Sequence, residues 1–300
     1  MRIAHLSDLH LLDLTGAVPM RLFNKRITGY ANLKLKREHA HKPEPVRAAI
    51  AELAGLGIDH LVVTGDVSNL ALEREFDRVL EVLEVELGLG ADDISLVPGN
   101  HDAYTRGAHR ARRFATWFAR YTTSDLDGIA TESGFPFVRL RGPVAIIGLS
   151  TARPRPPLVA SGTLGSEQLA ALGRALAHPS VRERTPVLLQ HHPIHNPTSL
   201  AKTLLEGLTD ASSERRVLDR LERGLVLHGH LHRRLRRELR TASGSLHAVG
   251  STSASLLHDD PDRMAGFNLY EIGDDGEILE LSARRYDGQG FEPASIPLVD

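Results

Sequence analysis

Short, continuous apolar runs, each closed by a cluster of carboxylates and imidazoles, constrain this chain more than anything else in it. Arg2–Ser7 runs into Asp8-Leu9-His10, Leu61–Thr64 into Gly65-Asp66, and Ile94–Val97 into Gly99-Asn100-His101-Asp102. Val187–Gln190 ends at His191-His192-Pro193, and Leu225–Leu227 leads to Gly229-His230-Leu231-His232, while Val144–Leu149 repeats the run alone. Runs this short and uniformly apolar suit strands buried on both faces. Helical patterns separate them, over Val46–Leu56, Leu72–Leu87, Ala111–Tyr121, Glu167–Leu176 and Glu214–Leu221. Alternating strand and helix predicts an α/β layered fold. Loops leaving the carboxyl ends of such strands gather at one sheet edge, so clusters far apart in sequence are predicted to converge.

After His232 the pattern changes to strands without clear helices: Arg233–Arg240, Ser245–Val249, Phe267–Ile272 and Ile278–Arg285. These are predicted to be antiparallel and to complete a second sheet layer rather than a separate domain. Residues 1–300 therefore read as a single domain, with a basic and apolar insertion at about 15–45 and a mainly β part from about 233. With no cysteine in the chain, disulfides and thiolate metal sites are both excluded. The formal charge of −2 gives no global pull toward nucleic acid or membrane. The start of the sequence has no apolar signal region, and no stretch approaches the roughly 18 apolar residues of a spanning helix, so a cytoplasmic location is expected.

The clusters offer carboxylate, imidazole and amide ligands for two metal ions, an inventory suited to phosphate-ester hydrolysis. Two cations about 3.5–4 Å apart lower the pKa of a bridging water and neutralise charge on the phosphoryl oxygens. Asp66, a lone Asp after Gly, is the candidate bridge. Asp8 and His10, two residues apart on an extended segment, can chelate one ion; His230 and His232 can do likewise or reach one ion each. Asn100 adds an amide oxygen and His191 another imidazole. His101 is not needed as a ligand and is free to protonate the leaving alkoxide, with Asp102 orienting it through a hydrogen bond.

The ordered set Asp8-x-His10, Gly65-Asp66, Gly99-Asn100-His101-Asp102, His191 and Gly229-His230-x-His232 resembles the calcineurin-like metallophosphoesterase superfamily, and within it the bacterial class III cyclic-nucleotide phosphodiesterases. The resemblance implies a four-layer α/β/β/α sandwich with two mixed sheets and a binuclear Mn, Fe, Zn or Co centre. It places Asp8, His10, Asp66 and His232 on one metal, and Asp66, Asn100, His191 and His230 on the other. His101 becomes the catalytic acid or phosphate-contacting residue. The implied function is a phosphodiesterase acting by metal-activated hydroxide on a small anionic ester, foremost 3′,5′- or 2′,3′-cyclic AMP. A homodimer is also implied, and no nucleic acid polymer is expected as partner.

Substrate choice falls to the loops. Met20–Arg47 interleaves Arg21, Lys25, Arg26, Lys34, Lys36, Arg37, Lys42 and Arg47 with Leu22, Phe23, Ile27, Tyr30, Leu33 and Leu35. It reads as a flap for anionic lipid or a large anionic substrate, with peripheral contact at the inner membrane surface, or as a surface insertion packed on its own core. The first reading fits an alternative function, a membrane-associated UDP-2,3-diacylglucosamine pyrophosphohydrolase of lipid A synthesis. Arginines 233, 234, 236, 237 and 240 either attract an anionic substrate or form the exposed face of an edge strand. His192, His195 and Arg233 are the candidate substrate contacts. A catalytically silent binding module is the alternative from another class, and retention of every metal ligand argues against it.

Overall fold

The computed structural model describes residues 1–12, 40–103, 107, 112–156, 158–196 and 199–299. Most of the basic and apolar insertion, from residue 15 to residue 39, lies outside them. In chain order the elements are β1 (Arg2–Leu6), α1 (Pro43–Gly55), β2 (His60–Val63), α2 (Glu73–Glu81), β3 (Ile94–Leu96), α3 (Arg113–Trp117), β4 (Phe137–Arg141) and β5 (Val144–Gly148). Then follow α4 (Ser166–Ala177), α5 (Pro179–Arg182), β6 (Thr185–Leu189), α6 (Leu200–Glu206), α7 (Ala211–Leu218) and β7 (Leu225–His228). The chain finishes with β8 (Leu235–Arg240), β9 (Ser245–Gly250), β10 (Gly266–Ile272), β11 (Ile278–Tyr286) and β12 (Phe291–Ala294).

These strands form two mixed six-stranded sheets, ordered β12-β11-β10-β1-β2-β3 and β4-β5-β6-β7-β9-β8. Alternate residues along the second sheet show how the layers stack. Ile146, Val187, Leu189, Leu225 and Leu227 join the core that holds the first sheet, α1 and α2. Ala145, Ile147, Leu188 and Val226 point the other way, into a core with Leu169, Leu172 and Leu176 of α4 and Leu218 of α7. A period of two along strands buried on both faces produces this division, and the result is an α/β/β/α sandwich. In α1, Pro43 opens the first turn, and Val46, Ala49, Ile50 and Leu53 bury the spacing of one helical face.

The C-terminal strands are shared between the sheets rather than confined to one. β8 and β9 extend the second sheet, with β9 parallel to β7. The β10–β12 meander instead pairs antiparallel with β1 and extends the first. Strand character is visible in sequence, but the choice of sheet depends on which edge is open. Two elements depart from the expected patterns: β4 carries a fully buried Arg139, whose guanidinium donates to the carbonyls of Ala91, Ile94 and Arg120, and α6, despite its leucines, buries none of its side chains. Among the described residues, no helix is long and apolar enough to cross a membrane.

Candidate metal centre

β1, β2 and β3 are mutually parallel, as are β5, β6 and β7. Their carboxyl ends therefore open on one edge, where all the ligand-bearing loops meet. The ladder continues past the strands, with Asp8 N donating to Gly65 O at 2.9 Å and His10 N to Asp66 O at 3.0 Å. The ligand segments are not extended, as the sequence spacing had suggested. Asp8, His10, Asp66, His230 and His232 all adopt positive φ, between 46° and 67°. Such left-handed turns cost roughly 1–2 kcal/mol per non-glycine residue and are held only where surrounding contacts impose them. Here they turn successive ligands inward. Glycine is required beside two of them: a Cβ on Gly99 would collide with the Asp66 carboxylate, and one on Gly229 with Ser7 and Asp8.

The side chains gather into two groups. Asp8, Asp66 and His191 offer ligand atoms within 4.8 Å of one another, and so do His10, His41 and His232. In the first group, His191 Nδ1 donates to the Thr64 carbonyl at 2.8 Å. Its Nε2 then faces Asp66 Oδ2 at 3.3 Å and Asn100 Oδ1 at 3.0 Å. His230 Nε2 likewise donates to Glu206 O at 2.8 Å, which turns Nδ1 toward Asn100 Oδ1 at 3.1 Å. On the other side, His10 Nε2 and His232 Nε2 are 3.3 Å apart, with Asp8 Oδ1 3.1 Å from His232 Nε2. That buried oxygen accepts no hydrogen bond among the described residues.

Ligand atoms of like kind thus crowd together at several points, with Asp8, His10, Asp66 and His191 buried. Cations among them remove the conflict. Asp8 Oδ1, left without a donor, and a mixed carboxylate, imidazole and amide donor set fit two borderline metal ions. The electrostatics agree. Burial alone would raise the Asp8 carboxyl, but His232, with help from His191, brings it down to about 2. Asp66 is held well below the ordinary range, burial being outweighed by His191 and His101. Burial and His191 push His230 down to about 3. Anionic carboxylate and neutral imidazole are the forms that bind metal; His191, which burial would lower but Asp66 draws up to about 9, gives up its proton to a bound cation.

His101 lies at this edge, its ring 5.1 Å from that of His10. Its backbone N–H donates to Asp66 Oδ1 at 2.7 Å, and its Nδ1 donates to the Asn69 carbonyl at 2.8 Å. The expected orienting bond from Asp102 is replaced. Asp102 instead accepts from Gly99 N, Val67 N, Ser68 N and Ser68 Oγ, at 2.8–3.3 Å. A carboxylate buried beneath the loops has four donors to satisfy there, so it stitches the β2 and β3 loops together. Burial, then Asp66, raises it to about 7.

The expected substrate contacts fare unequally. His192 is fully buried, with Nδ1 2.8 Å from Thr151 Oγ1 and Nε2 donating to Ala160 O at 2.6 Å. Its ring lies 4.4 Å from that of His230, so it props a ligand and presents no nitrogen to substrate. His195 packs its ring 5.2 Å from that of His228, and burial depresses it to about 3. Arg233 is exposed and pairs with Asp260 at 3.0 Å. Arg234, next to it, is buried and donates to Pro261 O, unlike a residue on an open strand face.

Three contributors have no counterpart among the sequence clusters. Asn69 supplies the carbonyl for His101, and its side chain donates to His10 O at 2.6 Å. The buried Glu75 carboxylate accepts from the N–H groups of Asn69, Leu70 and Leu72 and holds this loop in place. His41, just before α1, sets its ring 4.8 Å from His10 and 5.4 Å from His232. The only local signal for it is the spacing His39-x-His41, which repeats that of His230-x-His232.

Solved structures share this architecture. A dimetal phosphatase from Danio rerio aligns over 99% of both chains at 15% identity, with a TM-score of 0.57. Purple acid phosphatase PPD1 from yellow lupin (Lupinus luteus) aligns over 98% of this chain and 52% of its own, at 13% identity and a TM-score of 0.64. At such identities the likeness is one of fold. No curated protein sequence matches the chain. The family model for calcineurin-like phosphoesterases matches residues 1–234, which takes in every ligand-bearing loop. The chain belongs to the calcineurin-like phosphoesterase family.

Proposed function

We propose that the protein is a binuclear metal-dependent phosphodiesterase whose substrate is a small phosphodiester, with cyclic nucleotides as the leading class. The observation that carries this reading is the pair of ligand groups, Asp8/Asp66/His191 and His10/His41/His232, set side by side at one sheet edge. Asp8, His10, Asp66 and His232 would hold one ion, and Asp66, Asn100, His191 and His230 the other, Asp66 serving both. Ions bound there would supply Lewis acidity toward the phosphoryl oxygens and an activated water.

His101 then has the remaining task. With Nδ1–H tied to the Asn69 carbonyl, Nε2 is the nitrogen that gains or loses a proton. Protonated, it delivers that proton to the departing alkoxide, a role worth about 10²–10⁴ in rate. His192 and Glu206 O keep the His230 ring in one orientation, and Asn69 ties His10 to the same loop that orients His101.

A second reading, a lipid-linked substrate such as UDP-2,3-diacylglucosamine, draws on one feature of the surface. Leu158, Leu200, Leu204 and Leu205 are exposed by 49–90%. They flank Glu206, whose carbonyl meets His230, and Ala160 N bonds Leu205 O at 2.7 Å. Exposed leucines grouped beside a catalytic edge suit acyl chains. The deciding experiment is a substrate panel on metal-reconstituted protein, comprising bis(p-nitrophenyl) phosphate, 3′,5′- and 2′,3′-cyclic AMP, and UDP-diacylglucosamine in detergent micelles. Turnover of the cyclic nucleotides at least tenfold above the lipid supports the first reading. Release of UMP from micelles with negligible cyclic AMP turnover replaces it with the second.

A further inference from the structure

His41 reaches the metal centre from a position that belongs to none of the family's ligand-bearing loops. Its backbone is fixed rather than loosely placed. It forms an antiparallel bridge with Leu256, with Lys42 N donating to Ser255 O at 2.8 Å and Leu257 N to Ala40 O at 2.7 Å. The loop on the other side of that bridge is itself anchored to the centre, since Ser253 Oγ donates to Asp8 O at 2.6 Å. The ring is oriented as well: Nδ1 lies 2.8 Å from Ser255 Oγ. A hydroxyl accepting from Nδ1–H leaves the lone pair on Nε2, as outer partners do for metal-bound histidines.

The ring then stands edge-on to two others. His10 and His232 are its neighbours at 4.8 and 5.4 Å between centroids, with interplanar angles of 75° and 83°. The three histidines offer one ligand nitrogen each within 4.8 Å of the others. Nitrogens bound to one ion at about 2.0–2.1 Å lie about 3–4 Å apart, so small side-chain rotations close the group around a single centre.

We propose that His41 is an additional imidazole ligand of the ion held by Asp8, His10, Asp66 and His232, a proposal that rests on the binuclear reading above. That ion then has three imidazoles and two carboxylates, against two imidazoles, an amide and a carboxylate for its neighbour. The two sites are chemically unequal. The nitrogen-rich one favours Fe, Co or Zn over Mg or Ca and yields its ion to chelators last.

The test is metal retention, read apart from turnover. Wild-type protein and His41→Ala are loaded with two Co(II) per chain and titrated with dipicolinate, with metal content and the visible Co(II) bands followed together. The expected result is that His41→Ala releases one ion at roughly 10- to 100-fold lower chelator concentration, with altered d–d bands, while the other ion is retained as in the wild type. Release curves and spectra identical to wild type in folded His41→Ala overturn the proposal. If His41→Ala does not fold, His41→Cys decides. A thiolate-to-Co(II) charge-transfer band in the near ultraviolet supports ligation from position 41, and two-cobalt protein without the band overturns it. Wild-type protein that fails to bind two ions refutes the binuclear reading itself, a failure distinct from either result at position 41.

Discussion

His10 Nε2 and His232 Nε2 stand 3.3 Å apart although 222 positions separate them in the chain. Each residue is in left-handed backbone, and Asp8 Oδ1 lies 3.1 Å from one nitrogen and 3.9 Å from the other. Three acceptors aimed at one point form a cation site, and the backbone cost at each turn is accepted to aim them.

Removing one member should therefore empty that site and spare its neighbour. In His232→Ala, metal content should fall from about two ions per chain to about one, with phosphoester turnover reduced at least about 100-fold. Elemental analysis after gel filtration reads the stoichiometry. Retention of both ions at wild-type affinity would remove His232 from the ligand set.

The loops carrying His101 and Asp102 make a sharper distinction, because neighbours in sequence do different work. His101→Ala should lower kcat by about 10²–10⁴ and leave metal content and thermal stability near wild type. Asp102→Ala strands four donors from Gly99, Val67 and Ser68 beneath the loops, and should cost about 2–4 kcal/mol of stability. Chemical denaturation of the two variants separates the roles. Equal destabilisation in both would mean that His101, too, is mainly structural.

Much of this centre is legible in the sequence for a physical reason. Strands buried on both faces must be apolar throughout, so a polar residue at the end of a run stands out, and parallel strands bring such ends to one edge. What escapes is whatever acts through the backbone or across a bridge. Asn69 works through its carbonyl, which any residue possesses. His41 gains its place from pairing with Leu256, a contact that no local pattern announces. Asp102 follows His101 and so invites a pairing, yet its side chain turns toward the β2 loop because buried N–H groups wait there. β4 is masked by Arg139, a charge that satisfies itself on carbonyls within a core. β10–β12 are recognisable as strands, but their return to the first sheet depends on the open edge of β1.

The turn at Gly229 is a prediction about space. A Cβ there would overlap Ser7 and the Asp8 carboxylate, and neither is the loose end of a flexible chain. Ser7 Oγ donates to Asp8 Oδ2 at 2.6 Å, and His230 N donates to the same oxygen at 3.1 Å. Gly229→Ala should displace His230 and His232 together, lowering affinity for both ions by about tenfold or more and destabilising the fold by about 1–3 kcal/mol. Metal-binding isotherms alongside unfolding curves measure the two effects. A variant with intact affinity for both ions would show that the Asp8 loop yields freely.

His60 allows the pH dependence of the fold to be tested away from the metals. It is fully buried on β2, with Nε2 2.9 Å from Ser95 Oγ. Burial, reinforced by Arg139 and Arg141, lowers its pKa from 6.5 to about 3. In the unfolded chain the imidazole takes up a proton as pH falls through 6.5, while in the folded chain it stays neutral until about 3. Its contribution to stability is therefore fully present above pH 6.5 and is lost progressively between 6.5 and about 3. By pH 5 the loss is about 2 kcal/mol, at about 1.4 kcal/mol per unit. His5 and His228, depressed to about 3 and about 4 chiefly by burial, steepen the same acid limb. His60→Gln keeps a polar group opposite Ser95 without the ionisation, so the drop in unfolding free energy from pH 7.5 to pH 5 should shrink by about 2 kcal/mol in guanidinium titrations. Parallel acid limbs in variant and wild type would show that His60 is protonated within the fold.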